Sequence, residues 1–213
     1  MIDLTILDDI DLEHGCHASR KDGVCVMEAA AWIAGEKHSD SPQCVSPIIS
    51  AFLRSWNDAL PDNEMRNRLL KPLVPFIINS RASKAIEDKR AFMAVDWGVR
   101  TWLPMWLKAM DAERYKTHTA ALKALPEITD WAGLSSAILI LVAAKNEAAA
   151  TRDATWAAAW DAAWDAARDA ARAAAGDAAG AAARDALRPT TVELQAEAHL
   201  LVGRLIDHAK AAS

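Results

Sequence analysis

Apolar residues recur at helical spacing along the first 126 residues, and start and stop signals bound each stretch. Between Ser46-Pro47 and Pro61 they fall on one face of an α-helix, at Ile48, Ile49, Phe52, Leu53 and Trp56. Ser46 is a typical N-cap, and Pro47 fits the first helical position. Asp22 and Gly35 bound an earlier predicted helix in the same way.

Further helices are predicted from Asp62 and from Ser83, with Pro72, Pro75 and Pro104 as interruptions. Nowhere do apolar and polar residues alternate with β-branched content over several positions, which is the pattern of a half-buried strand. The sequence therefore predicts an all-α protein with a helical globular head over residues 1–126.

Residues 127–213 form a second predicted region, which differs from the head in having few interruptions to its helices. After the helix cap Asp130, almost nothing interrupts a helix before Pro189, so an Ala-rich helix about 85 Å long is expected. Thr190 and Glu193 then form a capping box for a last helix. Pro189 is thus the predicted hairpin turn that pairs the C-terminal helix with the long one.

A four-residue repeat runs along this Ala-rich helix. Every fourth position from 156 to 188 holds Trp, Trp, Trp, Arg, Arg, Gly, Gly, Arg and Arg. A four-residue step advances about 40° around a helix, so Trp156, Trp160 and Trp164 share one side. Gly176 and Gly180 leave a narrow surface that a neighbouring helix can approach. These five residues form a predicted interface, through which we expect the protein to be a homo-oligomer.

The net charge and the cysteine content limit which partners and which cellular compartment we expect for this protein. The net charge is −5 and no basic tract appears, which disfavours nucleic acid as a partner. Three cysteines without a disulfide spacing fit a reducing compartment, and the N-terminus lacks signal-peptide character, so a cytoplasmic location is expected. The longest apolar run, 137–144, is short of the about 20 residues of a membrane span and is interpreted as a buried helix turn.

One cysteine lies in a setting that suits thiol chemistry. Cys25 falls in the first turn of the predicted helix after Asp22-Gly23, where unpaired backbone amides stabilise a thiolate. His17 could serve as its base, and Glu28 or Asp40 could orient that histidine. This start resembles the Gly-x-Cys helix start of papain-like and transglutaminase-like thiol enzymes, although those families place the histidine after the cysteine. The other interpretation is a small packed side chain beneath a helix.

Two further candidate sites follow from residue type alone. Cys16, His17, Cys25 and Cys44 are zinc-ligand types, but their spacing lacks a Cys-x-x-Cys pair, and packed thiols and surface histidines are the alternative. The second candidate is an aromatic–cationic recess for a flat ligand, formed by Trp97, Arg100, Trp102 and Trp106. Core packing at helical spacing is the alternative there. No cofactor is expected.

The front of the chain carries a recognisable run of residues. It comprises His17-Ala18-Ser19, Asp22 to Ala30, Ala34-Gly35-Glu36, Ser39-Asp40, Cys44 to Pro47 and Phe52 to Asp58. With the Ala-rich tetrads behind it, this run resembles a group of uncharacterised proteins from actinobacteria and bacteriophages. The resemblance implies a bacterial or phage source and no mechanism.

Together these patterns favour a non-enzymatic interaction protein that self-associates through its Ala-rich helix, with a phage–host setting as one context. A thiol- or metal-dependent enzyme built on Cys25 and His17 is the alternative hypothesis. A small-ligand binder using the Trp-lined recess is the third. The sequence leaves the enzyme question open and favours a non-enzymatic role.

Overall fold

A computed structural model describes the backbone of residues 4–150 and 177–210 and the side chains of residues 4–144 and 190–208. Its helices are α1 (Ile6–Asp9), α2 (Val26–Ile33), α3 (Pro47–Ala59), α4 (Asn63–Leu70), α5 (Val74–Ile77), α6 (Lys84–Trp97), α7 (Leu103–Asp111), α8 (Lys116–Ala124), α9 (Trp131–Ala150) and α10 (Asp177–Lys210). A 3₁₀ turn at Lys71–Leu73 precedes α5, and a π-helical turn at Gly98–Trp102 precedes α7. Among the described residues there is no strand, so the predicted all-α class is confirmed.

Several helix boundaries follow the local signals in the sequence. The Ser46 hydroxyl accepts the Ile49 N–H at 3.3 Å at the start of α3. Asp62 caps α4 in the same way through the Met65 N–H at 2.7 Å. Asp130 accepts the Gly133 N–H at 2.8 Å where α9 begins. These bonds satisfy backbone donors that the first helical turn leaves unpaired.

Helix α2 also ends where the sequence predicts, at Gly35. Gly35 has a φ of 74°, in the left-handed region. The Gly35 N–H donates to the Trp32 carbonyl at 3.0 Å, and the Glu36 N–H donates to the Ala31 carbonyl at 2.9 Å. This is a Schellman motif, which pairs the last helical carbonyls and turns the chain sharply away from the helix.

The described residues fall into two compact units, and the first holds residues 4–90 and 204–210. Its core is built around α2, whose small residues allow close packing: Ala29, Ala30 and Ala31 are fully buried. Helices α3 and α5 pack against α2. They contribute the buried side chains Ile49, Leu53, Trp56, Val74 and Ile77.

A fully buried arginine, Arg90, forms hydrogen bonds that connect three segments of this unit. Arg90 Nη1 donates to the Ser80 carbonyl at 2.7 Å and to Glu87 Oε1 at 2.8 Å. Arg90 Nε donates to the Leu205 carbonyl of α10 at 2.7 Å. The other Glu87 oxygen accepts from the Ser46 hydroxyl at 2.5 Å. A buried charge paired in this way holds its neighbours in one arrangement.

The second unit holds residues 91–150 and 177–203. Its core cluster takes residues from α7, α8 and α9, among them Leu107, Leu122 and Leu141. The division between these compact units falls at Arg90, whereas the sequence predicted the end of a head at residue 126. The reason is that α7 and α8 bury their apolar faces against α9.

The C-terminal helix differs from the prediction in a second way. Helix α10 runs from Asp177 to Lys210 through Pro189, where the sequence predicted a hairpin turn. Proline removes one backbone donor and costs about 3 kcal/mol in a helix interior. The flanking residues, rich in alanine and leucine, have high helix propensity, which favours continuing the helix on both sides. The predicted turn at Pro189 is thus corrected to a helix interior.

Candidate functional site: the Glu28 cluster

A buried carboxylate at the start of α2 gathers the chemically interesting residues of the first unit. Glu28 is 1% exposed. Its Oε2 accepts the Cys25 N–H at 2.8 Å, which completes a capping box with Cys25 as the N-cap. The sequence predicted Asp22 as this cap. Asp22 instead accepts the Ser19 hydroxyl at 2.7 Å, in a turn three residues before the helix cap.

His17 binds the same carboxylate twice. Its backbone N–H donates to Glu28 Oε1 at 2.7 Å, and its ring Nδ1 lies 2.8 Å from Glu28 Oε2. Since an ionised carboxylate can only accept, Nδ1 of His17 carries a hydrogen in this pair. Nε2 lies 3.9 Å from Glu13 Oε2. The predicted pairing of His17 with Glu28 is therefore present.

A second histidine completes the group, which we call the Glu28 cluster: His17, Cys25, Glu28 and His38. His38 Nε2 lies 3.0 Å from the His17 carbonyl oxygen and 3.5 Å from Glu28 Oε1. Because a carbonyl oxygen only accepts, His38 Nε2 carries a hydrogen. The other ring nitrogen of His38 is buried and has no hydrogen-bond partner among the described residues.

Asn57 of α3 anchors the backbone around this cluster. This fully buried side chain accepts the Val26 N–H at 3.3 Å and donates to the Glu13 carbonyl at 2.8 Å. The Glu13 N–H donates to the Val24 carbonyl at 2.8 Å. These bonds hold the two ends of the 13–24 loop together, which brings His17 over the start of α2. The sequence offered no signal for this role of Asn57.

Hydrogen bonding keeps the Glu28 carboxylate charged. Burial by itself raises the pKa of Glu28, but the His17 and Cys25 amides and the His17 ring stabilise the carboxylate more strongly. The net result is a pKa below the usual value of a glutamate. Glu28 is thus a buried anion whose two oxygens are both occupied as acceptors.

Cys25 lies beside this anion as a protonated thiol. Burial, reinforced by the charge of Glu28, raises its pKa to about 12. The thiolate is the nucleophilic form, and at neutral pH this thiol holds almost none of it. The first-turn amide effect expected from the sequence is present but is outweighed by desolvation. This environment is typical of a structural cysteine.

The candidate zinc ligands are not gathered into a site. Cys16 is exposed, Cys25 is buried and Cys44 is partly buried. Within the described part of the chain, no group of three or more His, Cys, Asp or Glu side chains could hold a metal ion. The Glu36 carboxylate accepts the Cys44 N–H at 2.7 Å, which holds Cys44 in the loop before α3.

The candidate aromatic recess consists largely of core contacts in the second unit. Trp97 is buried, and Arg100 donates to Asp96 Oδ1 at 2.9 Å. Trp102 and Trp106 stack, with ring centres 6.3 Å apart and an interplanar angle of 9°. Both indoles pack against the core cluster of α7, α8 and α9. These contacts favour the packing interpretation of the tryptophans.

The predicted interface residues are described only in small part. Four of them, Trp156, Trp160, Trp164 and Gly176, lie outside the described residues. Gly180 belongs to α10, and the structure describes only its backbone. The structure instead shows an exposed apolar face on α9. The run 137–144 was interpreted as a buried helix turn, yet Leu139 is 74% exposed. The absence of charge from Trp131 to Ala144 was the available signal.

Comparison of the chain with known protein families, with curated proteins and with solved structures finds no match. Among residues 4–150 and 177–210, none of the helices combines the length and apolar character needed to cross a bilayer. Functional proposals therefore depend on the contacts, burial and charges of the described residues.

Proposed function

We propose that this protein is a non-enzymatic interaction protein that self-associates through α9 and the Ala-rich segment following it. The observation that carries this proposal is the outer α9 face, defined as Trp131, Ile138, Leu139 and Val142. These side chains are 74%, 37%, 74% and 46% exposed. Their spacing of seven, eight and eleven residues places them on one side of the helix.

The opposite side of α9 is already used by the core of its own unit. Ala137, Leu141 and Ala144 are buried on that side. The helix is thus largely apolar on both sides, because its exposed hydroxyls, Ser135 and Ser136, donate to carbonyls of the helix itself. No charged residue occurs from Trp131 to Ala144. A helix that is apolar all round is normally buried all round, and contiguous exposed apolar patches mark interaction sites. A second helix packed against the outer α9 face would therefore bury these exposed side chains.

One aromatic contact orients the start of this face. The Trp131 ring meets the Phe92 ring edge to face, with centres 5.6 Å apart and planes at 84°. The indole is held on one side and still offers most of its surface to a partner. Tryptophan positioned in this way is typical of the residues that carry binding energy at interfaces.

The composition of the following segment favours a second copy as the partner. Residues 151–188 carry six aspartates and five arginines, without lysine or glutamate. Because the two charges are nearly balanced and interspersed, a segment of the same sequence complements it electrostatically. Closed two-fold dimers are the commonest assembly for such self-complementary surfaces. A different bacterial or phage protein, in a cytoplasmic phage–host setting, would be the alternative occupant.

Sedimentation velocity of three proteins tests this proposal: the wild type, Leu139→Lys/Val142→Lys and Phe76→Lys. Phe76 is 61% exposed on α5 in the first unit and serves as the matched control. We expect an oligomeric wild type, a monomeric double variant and an oligomeric control, with helical circular dichroism retained. A monomeric wild type at micromolar concentration, or an oligomeric double variant, would overturn the role of this face.

The Ala-rich segment is tested separately by Gly176→Leu/Gly180→Leu. If the narrow surface contributes to association, two leucines hold the partner helix away. We expect a weaker oligomer with helicity retained. Association as tight as that of the wild type would limit the interface to α9.

A further inference from the structure

A recess beside the Glu28 cluster concentrates positive charge in an otherwise acidic chain. It has a volume of about 350 Å³ and lies between the 18–21 and 36–38 segments of the first unit. Arg20, Lys21, Lys37 and His38 line it, together with Ala18, Ser19 and Glu36. Three exposed residues with permanent positive charge thus line an open recess that could hold a small ligand, although the net charge of the chain is −5.

Within the described part of the chain, none of these cations is paired with a carboxylate. Of the side chains that the structure describes, no carboxylate oxygen lies within 4.0 Å of the charged groups of Arg20, Lys21 or Lys37. The one carboxylate that lines the recess, Glu36, is engaged elsewhere. It accepts the Gln43 N–H at 2.6 Å and the Cys44 N–H at 2.7 Å. The positive charge of the recess is therefore only partly compensated.

The backbone and a stacking contact restrict where these groups lie. A turn closed by the Asp22 N–H on the Ser19 carbonyl at 3.0 Å carries Arg20 and Lys21. The guanidinium carbon of Arg20 lies 4.7 Å from the centre of the Trp32 ring. An arginine stacked on an indole keeps the N–H groups at its edge available for hydrogen bonds. Lys37 and His38 follow the Schellman motif at Gly35 and line the same recess as this turn.

His38, which also lines the recess, has one buried ring nitrogen without a hydrogen-bond partner among the described residues. Its Nε2 donates to the His17 carbonyl, so its Nδ1 is the only ring nitrogen left for another partner. That nitrogen is buried and makes no hydrogen bond among the described residues. Buried polar atoms in proteins are nearly always paired, by protein, water or ligand.

From this arrangement we propose that the recess binds a small tetrahedral oxyanion of the phosphate type. Arginine, lysine and protonated histidine are the donors that proteins use for such oxygens. The oxyanion could be free phosphate or the phosphoryl group of a larger molecule, since the donors would recognise the same oxygens. This site lies in the first unit and is independent of the association proposed for α9.

Titration of the full-length protein with inorganic phosphate, followed by ¹H–¹⁵N NMR at constant ionic strength, tests the proposal. We expect saturable shifts at the amides of residues 18–21 and 36–38. Lys21→Ala/Lys37→Ala should weaken binding by about tenfold or more, the scale of one charge-assisted hydrogen bond. The control Lys108→Ala/Lys123→Ala removes two exposed lysines outside the recess and should leave binding unchanged.

His38→Asn provides a second variant that keeps a polar side chain while removing the imidazole. It should weaken phosphate binding without altering the NMR spectrum of the second unit. A parallel titration with phenyl phosphate distinguishes the two sources: tighter binding than phosphate indicates a phosphoryl group on an organic molecule, and equal binding indicates the free anion. Absence of saturable shifts, or equal weakening in the recess and control double variants, would overturn the proposal.

Discussion

The Nδ1 atom of His17 lies 2.8 Å from Oε2 of Glu28, and the backbone N–H of His17 donates to the other oxygen of that carboxylate at 2.7 Å. One residue of the 13–24 loop thus occupies both oxygens of a buried glutamate. The carboxylate also accepts the Cys25 N–H at the start of α2. The pair therefore connects the loop to the helix.

Glu28→Gln should destabilise the protein at neutral pH by about 2 kcal/mol, because an amide nitrogen would then face N–H donors. The folded pKa of Glu28 is lowered, so its contribution is present above the unfolded value of about 4.3 and is lost as pH falls through the folded pKa. The gap between variant and wild type should narrow as the pH falls below about 4.3. Unfolding in guanidinium chloride at a series of pH values measures this difference in the free energy of unfolding.

Glu113→Gln is the control for this pH series. Glu113 is 88% exposed, and its one ion pair, with Lys116 at 3.8 Å, is exposed to solvent and contributes little. Its effect should stay within about 0.5 kcal/mol at each pH. A Glu28→Gln penalty that is equal at neutral and acidic pH would contradict the linkage to this carboxylate.

Cys25 should resist alkylation in the folded protein, since burial raises its pKa to about 12. Iodoacetamide at neutral pH should label the exposed Cys16 rapidly, whereas Cys25 should react only after unfolding. Peptide mass spectrometry of samples quenched over time gives both rates. Labelling of Cys25 as fast as Cys16 would contradict the structural role and support the thiol-enzyme alternative.

Alanine at Gly23 should cost more stability than alanine at Gly35, although both glycines have positive φ values. A Cβ at Gly35 meets nothing within 4 Å, so the cost there is the left-handed backbone alone, about 1 kcal/mol. A Cβ at Gly23 would lie 2.6 Å from Cδ2 and Nε2 of His17, which forces the ring away from Glu28. We expect a total cost of roughly 3 kcal/mol for Gly23→Ala in urea unfolding.

A double-mutant cycle isolates that clash. In a His17→Ala background the obstructing ring is gone, so Gly23→Ala should cost markedly less than in the wild type. Equal costs in the two backgrounds would show that the backbone, and not the ring, determines the penalty.

Arg90→Met should destabilise the protein by about 3 kcal/mol, because it removes the donor to the Ser80 and Leu205 carbonyls and the cation that pairs with Glu87. Lys84→Met removes an exposed ion pair with Asp88 and should cost less than about 1 kcal/mol. Thermal unfolding of both variants gives the comparison. Similar losses from the two would contradict the anchoring role of Arg90.

What the sequence determined by itself is the set of features that depend on residues three or four apart. The caps at Ser46, Asp62 and Asp130 and the left-handed Gly35 involve hydrogen bonds within one helical turn, so the residue types indicate them directly. The absence of alternating apolar patterns likewise indicated the all-α class before any packing was known.

Only the tertiary structure decided which partners meet across longer separations. The sequence suggested Glu28 as a carboxylate that could orient the His17 ring, but it did not indicate that the His17 backbone N–H would bind the same carboxylate. Nor did it indicate that Asn57 reaches both Val26 and Glu13, since no local spacing encodes these contacts. The division at Arg90 and the exposed side of α9 depend on which apolar faces cover one another. Periodicity shows that a helix has an apolar side, but burial is a property of the neighbours that pack against it.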